Sequence, residues 1–133
     1  MKKIALYHNL TSGGSKRELY EFTRRFKKSG FTIHLYGHHE EKRTYLDLTN
    51  WVSEINIIRF NFIKKISFTL PFLKSIINLF IDMINIQKID NVSNSMAKDI
   101  DRKKYDFVFV HHNKEYVQSP FVLKYIKSKT LSK

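Results

Sequence analysis

Residues 4–36, IALYHNLTSGGSKRELYEFTRRFKKSGFTIHLY, decide the fold. KIALY (3–7) is a short apolar run that reads as a buried strand. The pair Gly13-Gly14 ends it as a turn, and the chain has only 4 glycines in 133 residues. Ser15 and Glu18 have the Ser-x-x-Glu spacing of a capping box, in which the hydroxyl and the carboxylate satisfy free backbone N–H groups at a helix start. Leu19, Phe22, Thr23 and Phe26 then recur at helical spacing and predict one inward face. Arg24, Arg25, Lys27 and Lys28 crowd the last turns, where cations complement the helix dipole. Gly30 stops the helix as a left-handed cap, and FTIHLY (31–36) alternates as a second strand. Strand, glycine turn, helix and strand make a βαβ unit, whose two strands are parallel and joined by a right-handed crossover.

Beyond it, 37–54 is polar and reads as a loop, with HHEEKR (38–43) solvated and a helical turn near Leu48–Val52. INIIRF (55–60) reads as a third strand. Pro71 starts a helix to about Gln87. Its polar positions Lys74, Asn78, Asp82 and Asn85 form one narrow stripe, so the sequence predicts a helix covered by protein on most sides. A separate helix is expected over Ser93–Lys103. YDFVFVHH (105–112) is a fourth strand, apolar on both faces as an internal parallel strand should be. Ser119-Pro120 opens a short helix, FVLKYIK, and KSKTLSK reads as an unstructured end.

The apolar fraction of 42% supports a packed core rather than disorder. At 133 residues the chain is one domain or less. With no cysteine, thiolate metal sites and cysteine nucleophiles are excluded. The apolar start is too short for an export signal, interrupted as it is by His8 and Asn9, and Lys74 and Asp82 argue against a transmembrane span. Net charge is +12, of which residues 1–36 carry half. That favours anionic partners, although a lysine excess of 18 over 6 arginines also fits a coding bias.

Three features could carry chemistry. Gly13 and Gly14 lie in the first βα turn, where open parallel sheets bind ligands; glycine admits a phosphate close to the backbone, and Lys16 and Arg17 add charge. The dinucleotide and P-loop fingerprints are absent, so an ordinary turn is the competing explanation. His111, His112 and Asn113 end the fourth strand on the same carboxyl edge and could contact an acceptor or simply begin a solvated loop. Adjacent histidines on a strand point to opposite faces, so no metal site is expected. RFNFIKKISFTLPFLK (59–74) mixes cations with aromatics in a way that suits an interfacial membrane contact. No stacking motif or helix-turn-helix signature points to nucleic acid.

In order and spacing, IALYHNLTSGGSKRELYEFTRRFKKSGFTIHLY and YDFVFVHHNKEYVQSPFVLKYIK resemble the N-terminal, acceptor-side part of glycosyltransferase family 4 proteins of the GT-B fold. The resemblance implies an α/β domain: an open, mostly parallel Rossmann-like sheet of about four strands with flanking helices. It implies a nucleotide-sugar donor, a glycan or lipid-linked acceptor, and no cofactor. Gly13, Gly14, Lys16 and Arg17 would face the donor phosphates, and His111 would lie at the acceptor side of the cleft. The Glu-x7-Glu element of the family's donor domain is not found, and neither is its fifth strand with a histidine. Residues 1–133 are therefore expected to be an incomplete domain, inactive alone, that pairs with a missing half or self-associates through an exposed fourth-strand edge. The expected location is cytoplasmic, extending to the inner face of the membrane. The rival expectation is a basic, non-enzymatic module binding anionic membrane or nucleic acid.

Overall fold

The computed structural model describes residues 2–10, 12–38, 45–59, 61–67, 69–112 and 121–132. The elements are β1 (Lys3–His8), α1 (Gly14–Lys28), β2 (Thr32–Gly37), β3 (Glu54–Ile57), α2 (Pro71–Arg102), β4 (Phe107–His111), a 3-10 turn (Phe121–Lys124) and β5 (Thr130–Ser132). All five strands are parallel, in the order β3-β2-β1-β4-β5. This is an open Rossmann-like α/β sheet with helices against it.

The βαβ unit forms as its sequence predicts. Leu19 and Thr23 are buried on α1, and Phe22 and Phe26 extend that face. Phe22, Phe26, Phe31, Phe107 and Phe109 meet with ring centroids 5.6–6.5 Å apart, which glues α1 to the sheet. The end of α1 is a Schellman motif. Gly30 has φ +82, its N–H donates to the Lys27 carbonyl at 3.1 Å, and the Phe31 N–H donates to the Phe26 carbonyl at 3.1 Å. The start differs from the expected capping box. The helix begins at Gly14, which puts Ser15 inside it, and no side chain caps it.

Two expectations about the second half are overturned. The predicted pair of helices is one continuous α2 of 32 residues, because residues 88–92 hold neither glycine nor proline to break it. The fourth strand is also not an edge. β5 pairs with it, Thr130 opposite Val108 and Ser132 opposite Val110. The cause is distant in sequence: Asp101, at the end of α2, accepts hydrogen bonds from the Lys127 N–H, the Ser128 N–H and the Ser128 hydroxyl, at 2.5–3.2 Å. That grip turns residues 127–129 onto β4. The sheet ends instead in β3 and β5, short strands of the kind that limit edge pairing. The expected helix after Pro120 is a single 3-10 turn, and the turn near Leu48 closes through Trp51 N–H to the Leu48 carbonyl at 2.9 Å.

α2 divides into two halves. A helix of 32 residues is about 48 Å long, whereas a six-residue strand spans only about 20 Å. As a crossover helix, α2 runs antiparallel to the strands. Its C-terminal half lies on the sheet through Ile89, Ser93, Met96, Ala97 and Ile100. Its N-terminal half runs past the sheet's carboxyl edge.

At the opposite, amino edge a polar network clamps α2 to the sheet. The Tyr105 hydroxyl lies 2.9 Å from the Tyr36 hydroxyl and 2.9 Å from His34 Nδ1. Tyr36 donates to Asp99, and His34 Nδ1 lies 2.8 Å from Glu54, its register partner on β3. Lys103 closes the ring by donating to Glu54. The bond from Lys103 holds the Glu54 carboxyl below its usual range. Burial pushes His34 below 6.5, against the pull of Glu54. A histidine with a depressed folded pKa contributes stability above its unfolded value and loses it as pH falls through the folded value. The urea midpoint is therefore expected to fall as pH drops below about 6.5. In His34→Gln that slope should be shallower; an unchanged slope would place the titration elsewhere.

Candidate functional site at the carboxyl edge

In the order β3-β2-β1-β4-β5 the chain reverses its winding direction between β1 and β4, and such sheets bind ligands at that switch point, beyond the carboxyl ends of the strands. Two histidines stand there. His8 ends β1, His111 ends β4, and they are register partners, so both side chains point to the α1 face. Both are buried, and His111 lies edge-on to Phe109 at 6.0 Å. The Leu10 N–H donates to His8 Nδ1 at 3.1 Å, which requires that nitrogen to be unprotonated.

Above them is the glycine turn. Gly13 has φ 90 and ψ −173, a region open essentially to glycine alone. It is thus the conformation, not crowding, that demands glycine: a Cβ there would meet nothing within 4 Å. Gly14 is the first helical residue and has no such torsion. The Gly13 carbonyl accepts the first helical bond, from Arg17 N–H at 3.2 Å, and the Tyr45 hydroxyl at 3.3 Å. The exposed first turn of α1 therefore presents backbone N–H groups at the sheet edge, with the positive end of the helix dipole behind them.

The two expected cations separate. Arg17 is exposed and lines an open groove along α1 with Gly14, Glu18, Glu21, Phe22 and Arg25. Lys16 is 1% exposed, so it offers no charge to solvent at this turn. The reason is helical periodicity: positions 16, 19 and 23 share the inward face. His112 is half-buried, and Asn113 lies outside the described residues. His38, expected to be solvated, is buried. It lies against Tyr7 edge-on at 5.7 Å, with Nδ1 3.1 Å from the Ile58 carbonyl. Sequence reading overlooked His8, which registers as a site residue only once β1 and β4 are neighbours. Among the described residues no cluster of histidines and acids could hold a metal ion.

No protein-family model matches this sequence, nor does any curated protein. Among solved structures, the chain is similar to the C-terminal domain of a hydrogenase from Pyrococcus furiosus. The TM-score is 0.59 at 12% identity, over 98% of this chain and 89% of the other. At that identity the likeness concerns the fold alone.

Proposed function

We propose that the carboxyl edge receives the phosphates of a nucleotide-sugar, and that the chain is the acceptor-side domain of a glycosyltransferase with GT-B architecture. The observation that carries the reading is the glycine-only torsion of Gly13, which opens the N-terminus of α1 at the switch point beside His8 and His111. The N–H groups that open α1 suit a diphosphate, and Arg17 supplies the exposed full charge. In this reading the hydroxyl of a glycan or lipid-linked acceptor would enter over His8 and His111, which lie buried beneath the edge. The donor's base and ribose would be held by a second domain, so no sugar transfer is expected from these 133 residues alone, and transfer by the purified chain would contradict that division of labour.

Titrating UDP-glucose into the 133-residue chain tests the site. Saturable binding is expected, weakened about tenfold in Arg17→Ala, as the loss of one charge-assisted contact predicts. Binding that Arg17→Ala leaves intact would move the phosphates elsewhere. The alternative, a basic module without catalysis, draws on a different part of the molecule, the projecting half of α2.

A further inference from the structure

The N-terminal half of α2 is turned inside out relative to its expected packing. Its polar stripe is covered from Asn78 to Asn85, while Lys74 at its start is half-buried and its apolar face is bare. Residues 61–67 lie against the stripe as an extended strap. Asn85 accepts the Ile63 N–H at 2.9 Å and donates to the Ile63 carbonyl at 3.0 Å. Asn78 does the same for Ile66, at 2.9 and 3.2 Å. The spacings match: seven helical residues advance about 10.5 Å, and three extended residues about 10 Å. Lys65 adds an ion pair to Asp82 at 2.8 Å.

With its polar side engaged, α2 turns Phe72, Leu73, Ile76, Leu79, Phe80 and Met83 to solvent, Phe72 at 79% exposure. Together they expose on the order of 600 Å², at or above the largest patch on an ordinary monomer. The chain here is also basic. Residues 59–88 contain Arg59, Lys64, Lys65, Lys74 and Lys88 against one acid, Asp82, which Lys65 already neutralises. A second copy would set these cations against their own kind, whereas an anionic lipid surface complements both the charge and the apolar face. Among the described residues no helix is long and apolar enough to cross a membrane.

We infer that the projecting half of α2, with its strap, is a docking face that lies in the headgroup region of an anionic phospholipid bilayer. Phe72 and Phe80 enter the acyl boundary, and Lys64 and Lys74 meet lipid phosphates. The inference goes beyond the nucleotide-sugar reading and does not depend on it. Because this half of α2 extends past the carboxyl edge, docking also holds that edge near the lipid surface.

Flotation of the full chain with vesicles tests it, comparing phosphatidylcholine alone with an equimolar mixture of phosphatidylcholine and phosphatidylglycerol. Binding is expected to the mixture. It should fall about tenfold or more when Phe72→Ser and Phe80→Ser are combined. It should fall about fivefold per site for Lys64→Glu and Lys74→Glu. Phe72, Phe80 and Lys64 are exposed and Lys74 is half-buried, and circular dichroism checks that the variants fold. No binding by the wild type overturns the inference. So does binding that survives both phenylalanine substitutions, which would reduce it to adsorption of a +12 chain. A dimer that the same two substitutions dissociate, without vesicle binding, would make a second copy the occupant and overturn it as well.

Discussion

Tyr105→Ala is expected to lower the unfolding free energy by about 3–5 kcal/mol, a large share of the stability of a small domain. Tyr105 is buried where β2, β4 and α2 converge. Its ring stands edge-on to His34 at 5.5 Å and to Tyr36 at 6.1 Å. Truncation leaves a cavity there and removes the partner shared by the Tyr36 hydroxyl and His34 Nδ1. Burial and the Tyr36 bond raise the Tyr105 pKa, so its hydroxyl stays protonated at any ordinary pH. Tyr105→Phe separates the two effects. It keeps the ring, and Tyr36 retains Asp99 while His34 retains Glu54, so the cost should be about 1 kcal/mol. Urea denaturation of the three proteins gives both numbers. A Tyr105→Ala loss no larger than that of Tyr105→Phe would mean that the ring is not part of the core.

Gly13→Ala and Gly14→Ala are expected to behave in opposite ways although the residues are neighbours. At Gly13 the torsions exclude a side chain, so alanine costs about 1–3 kcal/mol or forces the turn into another shape. A reshaped turn redirects the first N–H groups of α1, and nucleotide binding should fall at least about tenfold. At Gly14 a methyl group meets open space and improves helix propensity, so stability should hold or rise by up to about 1 kcal/mol. Thermal melts and nucleotide titrations on both variants check this. Equal behaviour of the two would show that the turn's conformation has no bearing on the site.

The first 36 residues were legible because every signal in them is local. The period of the apolar residues, the glycine turn and the Gly30 cap each lie within a few residues of what they specify. FVFV (107–110) was legible as internal because burial on both faces writes itself into composition. β5 was not legible. Thr130–Ser132 is too short to show alternation, and it is placed by Asp101, nearly thirty residues upstream. The orientation of α2 was misread because a polar stripe ordinarily faces water, whereas here Asn78 and Asn85 satisfy the backbone of the strap. At the site, Gly13 and His111 followed from the strand ends. His8 required knowing which strands are neighbours, and the burial of Lys16 required the phase of a helix that begins one residue before its apparent cap.

The most direct test of the carboxyl-edge site is a two-dimensional 15N–1H spectrum of the full chain titrated with UDP. The amides of Gly13, Gly14, Ser15 and Arg17 are expected to shift together and saturate with one dissociation constant, with smaller changes at His8 and His111. Shifts confined to Arg25, Lys27 and Lys28 at the far end of α1, or none at all, would contradict a phosphate site at the glycine turn.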